Sequence, residues 1–236
     1  MKAIILAGGR GTRLRPHTLV LPKPLIPIGD RPVLELLIRR LRKFGFTEII
    51  ITIGYLGSLI RTLCGDGNSL GANISYSEES EPLGTIGPLT LIDGRLKETF
   101  LVCNGDIITD LDIHKFVQFH KAKGGIVTIA TIKRKIKIRL GVFECDGNDK
   151  IADFVEKPEH EYLASMGIYL FEPEIFNYIP KGIPFGFDDL MRTLIAENIP
   201  VYVYTHNGYW LDIGIEEDFR KAQNEFEKHR EGIMGD

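Results

Sequence analysis

The sequence predicts an α/β protein built on a Rossmann-like, doubly wound mixed sheet, and three observations carry that prediction. A buried apolar run, Ala3-Ile4-Ile5-Leu6-Ala7, empties directly into the glycine-rich turn Gly8-Gly9-Arg10-Gly11. This is the strand-to-loop passage at which open α/β sheets bind ligands. Strand-like and helix-like segments then alternate through the first half of the chain, as parallel βαβ units require. Finally, 236 residues at 44% hydrophobic content are enough for a full core.

The elements follow in order. Asp30 or Arg31 is expected to cap a helix with Pro32 in its first turn. Val33, Leu34, Leu37, Ile38, Leu41 and Phe44 form its apolar stripe, and Gly45 stops it. Residues 48–53 (EIIITI) read as a buried strand, 55–64 as a short helix and 74–77 as a further strand. Residues 100–103 are strand-like and run into Asn104-Gly105-Asp106. Residues 112–123 are helical, with Asp112 suited to the N-cap, and 126–131 are again β.

The pattern loosens after residue 132. A basic run, Lys133-Arg134-Lys135-Ile136-Lys137-Ile138-Arg139, reads as a solvated strand edge that discourages aggregation. Residues 141–144 and 151–155 read as antiparallel strands joined by the turn Asp146-Gly147-Asn148. A strand at 165–171, a helix at 187–197, short β segments at 201–204 and 210–214, and an amphipathic helix from about Glu216 complete the chain. No low-complexity linker or internal repeat interrupts it. The expectation is one domain with two halves, residues 1–131 and 132–236.

Composition excludes several classes. Lys plus Arg number 29 against 32 Asp plus Glu, a net charge of -3, which lacks the basic excess of a nucleic-acid binder. The three cysteines, Cys64, Cys103 and Cys145, form no CxxC pair and suit a reducing, intracellular compartment. Lys2 precedes only five apolar residues, too few for a signal peptide, and no run has the length of a membrane span. A cytoplasmic protein without nucleic-acid or membrane partners is expected.

The glycine turn carries the chemistry. Its glycines let backbone N–H groups approach a phosphate, and Arg13 and Lys23 can neutralise it. A dinucleotide loop would need a third glycine where Leu14 stands, and the G-x-x-x-x-G-K-[ST] of a P-loop is absent. A turn that merely reversed the chain would not need Arg, Thr and Lys at fixed offsets.

Gly8-Gly9-Arg10-Gly11-Thr12-Arg13-Leu14-Arg15-Pro16, followed by Pro22-Lys23-Pro24-Leu25, resembles the signature of the sugar-1-phosphate nucleotidylyltransferases, or nucleotide-sugar pyrophosphorylases. Three further motifs follow in the family's order: Asn104-Gly105-Asp106, Phe154-Val155-Glu156-Lys157-Pro158 and Trp210-Leu211-Asp212-Ile213-Gly214. The resemblance implies the nucleotide-diphospho-sugar transferase fold, a nucleotide half and a sugar half. The hexapeptide-repeat domain that some relatives carry after this one is not seen in the sequence.

The implied reaction is Mg²⁺-dependent: an NTP and a sugar 1-phosphate give an NDP-sugar and pyrophosphate. In the family's scheme Leu6, Ala7, Gly8, Gly9, Gly11 and Thr12 cradle the nucleotide. Arg13 faces the leaving pyrophosphate and Lys23 the α-phosphate. Asp106 and Asp212 hold Mg²⁺, and only the resemblance places Asp212 opposite Asp106. Lys157 holds the sugar phosphate, Glu156 contacts sugar hydroxyls, and Asn104, Gly141 and Gly167 line the sugar pocket. Relatives often carry Asn where Ser165 stands, which leaves a sugar contact there open. The attacking phosphate is already anionic near neutrality, with a second pKa of about 6, so no general base is required. The six histidines, His17, His114, His120, His160, His206 and His229, then need no catalytic role.

The segment Tyr76 to Thr85 matches the family's base reader, through Glu79, Pro82, Gly84 and Thr85. A carboxylate only accepts hydrogen bonds. Guanine offers two adjacent donors, whereas uracil and thymine offer one ring N–H. Glu79 therefore favours GTP, and with Glu81-Pro82-Leu83-Gly84-Thr85 it points to the mannose-1-phosphate guanylyltransferase branch and a mannose- or heptose-type sugar. The alternatives are a UTP- or dTTP-dependent transferase and a non-catalytic regulatory relative. A nicotinamide dehydrogenase fails on glycine spacing and on the missing acid at Thr52-Ile53-Gly54. Oligomeric state is left open, a homo-oligomer among the alternatives.

Overall fold

The computed structural model describes residues 1–234. In chain order the strands and helices are β1 Ala3–Ala7, β2 Pro27–Ile28, β3 Arg31–Pro32, α1 Val33–Lys43, β4 Glu48–Ile53, α2 Gly57–Cys64, β5 Asn73–Glu78, β6 Phe100–Asn104 and β7 Ile107–Thr109. There follow α3 Ile113–Lys123, β8 Val127–Lys137, β9 Gly141–Cys145, β10 Ile151–Glu156, β11 Glu159–Phe171, α4 Phe187–Ala196, β12 Val201–His206, β13 Trp210–Asp212 and α5 Glu216–Met234.

Seven strands form one mixed sheet in the order β12-β8-β11-β6-β1-β4-β5. β1 lies parallel to both β4 and β6, and β4 is parallel to β5. β11 runs antiparallel between β6 and β8, and β12 is parallel to β8. The chain leaves β1 toward β4 and β5, then returns to β6 on the opposite side. Strand order therefore reverses at β1, which opens a crevice beyond the carboxyl ends of these strands. Register puts Leu6 beside Thr52 on one side and Asn104 on the other, in a single row at that crevice.

Period-two alternation explains the two main cores. Ala3, Ile5, Ile49, Ile51, Leu101 and Cys103 face α1, α2 and α3, meeting Leu34, Ile38, Leu41, Ile60 and Phe116. Ile4, Ile50 and Val102 face the other way, against α4 and the turns that carry Ile86, Leu89, Ile92 and Ile175. A third cluster joins α5 (Ala222, Phe226, Ile233) to Leu14 and Ile28 behind the glycine loop and to Ile108 and Leu211. The buried Arg40 binds this end together, donating to the carbonyls of Leu111 (2.7 Å), Gly232 and Ile233 (3.2 Å).

Several boundaries differ from the sequence expectation. Pro32 is not in a helical turn: Arg31 and Pro32 pair with Ile28 and Pro27, so Pro32 is an extended N-cap (ψ 142°) and α1 begins at Val33. α2 begins at Gly57 because Leu56 occupies a left-handed conformation (φ 54°). Asp112 is the N-cap of α3, its carboxylate accepting the Lys115 N–H at 3.0 Å. β8 continues through the basic run, and β11 starts at Glu159 and is 13 residues long. Charges at its start hid that strand, and they are matched across the pair: Lys133 meets Glu161 at 2.8 Å and Lys135 meets Glu159 at 2.9 Å. Among the described residues no helix is long and apolar enough to cross a membrane.

Candidate active site at the sheet switch point

The crevice encloses a cavity of about 760 Å³. Leu6, Ala7, Gly8, Gly9, Gly11, Thr12, Arg13 and Lys23 line it from β1 and the glycine loop. Glu79, Pro82, Gly84 and Thr85 line it from the segment after β5, and Asn104 and Asp106 from the end of β6. Asp212, Gly141, Glu156, Lys157 and Gly167 do not line this cavity.

Local backbone demands explain the glycines. Gly11 takes φ 60° and its carbonyl accepts both the Leu14 N–H (3.0 Å) and the Thr18 hydroxyl (2.9 Å), which turns the loop back over Lys23. A methyl group on Gly8 would overlap the Glu79 carboxylate. Glu79 itself is tied down: Oε2 accepts the Leu83 N–H at 2.9 Å, and Oε1 lies against Gly8 and Gly54. This changes the picture of a carboxylate with both oxygens free for a base, since one of them also organises the 79–83 turn.

Charge is concentrated where β6 ends. Lys23 forms an ion pair with Asp106, and its ammonium lies 3.6 Å from Asp212 Oδ1. Asp212 reaches this point because β13 pairs with β7, Asp212 opposite Ile107, and the Ile213 N–H donates to the Asp106 carbonyl at 3.0 Å. The structure thus brings together two carboxylates that are far apart in the sequence. Burial, and then the neighbouring Asp106, push the Asp212 carboxyl up to about 6, against the pull of Lys23 and Arg13.

Asp106 Oδ1 and Asp212 Oδ1 are both buried without a hydrogen-bond partner. Buried carboxylate oxygens without a hydrogen bond, from two residues that share one lysine, fit a hard divalent cation that completes its shell with substrate phosphates and water. Among the described residues no cluster of three or more His, Cys, Asp or Glu is placed to hold a metal unaided, so phosphate oxygens would be needed here.

The sugar-side residues divide. Register between β8 and β11 breaks between Ser165 and Tyr169, and inside this bulge Gly167 takes φ 71° against the Asn104 amide. Ser165, at the position where relatives often carry Asn, accepts the Gly167 N–H at 3.2 Å and so holds the bulge. The Met166 carbonyl accepts the Trp210 indole N–H at 2.8 Å, which ties the bulge to β13. Gly141, Glu156 and Lys157 lie instead on the exposed β9–β10 hairpin, where Lys157 pairs with Glu156 at 3.2 Å.

The cavity also includes Arg10, Pro24, Thr52, Gly54, Tyr55, Ser80, Glu81 and Pro88, to which the sequence assigned no role of their own. The signal for Thr52 and Gly54 was their place at the end of the strand beside β1. Two histidines form buried or half-buried pairs, His120 with Thr128 (2.7 Å) and Glu172 (3.1 Å), and His206 with Asp110 (2.7 Å). Neither lines the cavity. Cys103 and Cys64 are buried in the core, and burial raises both thiols, that of Cys64 to about 11.

The chain is 38% identical to the UTP–glucose-1-phosphate uridylyltransferase of Synechocystis sp., over 94% of its own length and 62% of the relative's. It is 36% identical to the mannose-1-phosphate guanyltransferase of Saccharomyces cerevisiae, over 93% of its length and 63% of the relative's. The chain thus spans somewhat under two thirds of these curated relatives. Among solved structures, HddC from Yersinia pseudotuberculosis superposes with a TM-score of 0.76 at 28% identity, covering 95% of this chain and 99% of that one. A second HddC structure is a complex with GMP-PN, at a TM-score of 0.74. The family model for nucleotidyl transferases matches residues 2–229, and with the crevice, loop and fold described above the chain belongs to the nucleotidyl transferase family.

Proposed function

We propose that the chain catalyses Mg²⁺-dependent transfer of a nucleotidyl group from an NTP to a sugar 1-phosphate, releasing pyrophosphate. The observation that carries this reading is Lys23 held between Asp106 and Asp212 at the mouth of a glycine loop. Two carboxylates beside a glycine loop suit a reaction in which a divalent cation offsets the charge of two anions, and Lys23 adds a fixed positive charge there.

A phosphate oxygen of the sugar 1-phosphate attacks the α-phosphorus in line. The bond from that phosphorus to the β-phosphate bridging oxygen breaks, and pyrophosphate leaves with the electron pair. The nucleophile is anionic, so no side chain must take its proton. Backbone amides from Gly8 to Thr12 orient the triphosphate, Arg13 faces the leaving group and Lys23 the α-phosphate. Asp106 and Asp212 would hold Mg²⁺, which when bound neutralises phosphate charge. On the sugar side Asn104 and Gly167 would shape the pocket. Lys157 and Glu156 reach it only if the β9–β10 hairpin brings them inward.

GTP is the favoured nucleotide and a mannose- or heptose-type 1-phosphate the favoured acceptor. Glu79 and Glu81 supply acceptors for guanine's donor edge, and mannose-1-phosphate guanyltransferases are among the relatives. A UTP-dependent reaction is the second reading, favoured by the likeness to the uridylyltransferase. A cytoplasmic location accompanies the proposal as its expected setting.

The test is pyrophosphate release with Mg²⁺ across GTP, UTP, dTTP, CTP and ATP, each against mannose, glucose, glucosamine and heptose 1-phosphates. A D106N/D212N variant serves as blank. Release confined to the GTP row, with that preference lost in Glu79→Gln, supports the guanylyl reading. A best signal with UTP or dTTP removes it and leaves the reaction class. Silence with every pair sinks the activity.

A further inference from the structure

The geometry points to Arg134, stacked on Trp210, as the residue that binds the phosphate of the sugar 1-phosphate; this rests on the activity proposed above. β12 pairs with β8 only as far as His206 opposite Ile132. From Lys133 onward β8 has β11 on one side and solvent on the other. Alternation then sorts its basic run onto two faces. Lys133 and Lys135 take one face, where Glu161 and Glu159 neutralise them. Arg134 takes the other, opposite Tyr162 in register, with its guanidinium 5.1 Å from the centre of the Trp210 ring. No carboxylate among the described residues forms an ion pair with it.

The position is what gives this cation meaning. Trp210 and Asp212 are two residues apart on β13 and share one face of it, a spacing of about 7 Å along a strand. The indole is fixed by its hydrogen bond to Met166 in the bulge that also places Gly167 against Asn104. Arg134 therefore stands beside the strand that carries Asp212, next to the bulge on the sugar side, over an indole held by that hydrogen bond. Stacking holds a guanidinium plane while leaving its N–H edge free, and that fork matches two phosphate oxygens. Lys157 offers a less prepared alternative, since it is more than half exposed and already beside Glu156.

Trp210 is the one tryptophan of the chain, so its emission reports on this site directly. The experiment titrates wild type, Arg134→Gln and Arg134→Lys with mannose 1-phosphate, glucose 1-phosphate and inorganic phosphate, following tryptophan fluorescence. The KM values for nucleotide and for sugar 1-phosphate are measured in parallel, with melting temperature as the check on folding. The expected result is a saturable change in wild type and a midpoint raised roughly ten- to a hundredfold in Arg134→Gln. The sugar-phosphate KM should rise equally, the nucleotide KM should stay unchanged, and Arg134→Lys should recover part of the loss. An unchanged midpoint and KM in Arg134→Gln overturn the proposal, as does an equal rise in both KM values. A wild-type response without turnover would sink the activity and keep the phosphate site. A wild type with neither response nor turnover removes both.

Discussion

Gly167→Ala tests the sugar side of the crevice through a single methyl group. At φ 71° an alanine enters the left-handed region, at a cost of about 1–2 kcal/mol. Its Cβ would stand 2.5 Å from Asn104 Nδ2 and 2.9 Å from Cγ. Asn104 must therefore leave its rotamer, which adds about 0.5–1.5 kcal/mol. Alanine also stiffens the unfolded chain, which returns about 0.4–1 kcal/mol. The balance is a loss of about 2 kcal/mol, or roughly 4–8 °C in melting temperature for a chain of this size. Thermal and urea denaturation followed by circular dichroism would read it. Gly94→Ala is the control, because no atom lies within 4 Å of its Cβ and its φ is ordinary. Combining Gly167→Ala with Asn104→Ala should recover the steric part, about 1 kcal/mol, and leave the backbone part. A Gly167→Ala protein melting within about 1 °C of wild type would refute the reasoning, and so would strict additivity in the pair.

Three other outcomes are expected. Lys23→Met leaves Asp106 and Asp212 facing each other without their cation; turnover should fall on the order of 10²–10³-fold, and single-turnover kinetics retaining wild-type rates would contradict the assignment. Because the Asp212 carboxyl is pushed up to about 6, it holds a proton below that pH and a divalent ion must displace it. Calorimetric Mg²⁺ affinity should be flat above about pH 7 and fall toward tenfold per unit below about 6; equal affinities at pH 5 and 7.5 would exclude Asp212 as a ligand. Arg40→Ala leaves the carbonyls of Leu111, Gly232 and Ile233 without their donor, so stability should drop by about 3 kcal/mol. Amide exchange should quicken at the end of α5, and a loss confined elsewhere would show that the C-terminal helix is held by other contacts.

What could be read from sequence was what is encoded locally. The run Ala3 to Ala7 and its glycines announce a strand and a loop within a dozen residues, and Asp106 follows directly on an apolar strand. Asp212 was reached only by resemblance, because its place depends on a three-residue strand, Ile107–Thr109, too short to show alternation. The start of β11 was missed for a different reason. Glu159 and Glu161 look like loop residues until Lys135 and Lys133 stand opposite them. Glu79 was read as a carboxylate facing a ligand, and nothing in the sequence disclosed the Leu83 N–H that claims one oxygen. Arg134 was one letter in a basic run until strand alternation separated it from its neighbours.

The short β7–β13 ladder also sets an order of assembly. The Thr109 hydroxyl donates to the Tyr209 carbonyl across 100 residues of chain, and the two carboxylates meet only through this late contact. During synthesis β1, β4 and β6 can pair, and the glycine loop can form, while β13 is still inside the ribosome. Loop closure over such a span is slow compared with the local elements. A nascent chain would thus acquire its glycine loop well before it acquires the second carboxylate, and any triphosphate met that early would find a crevice lacking half of its acidic pair.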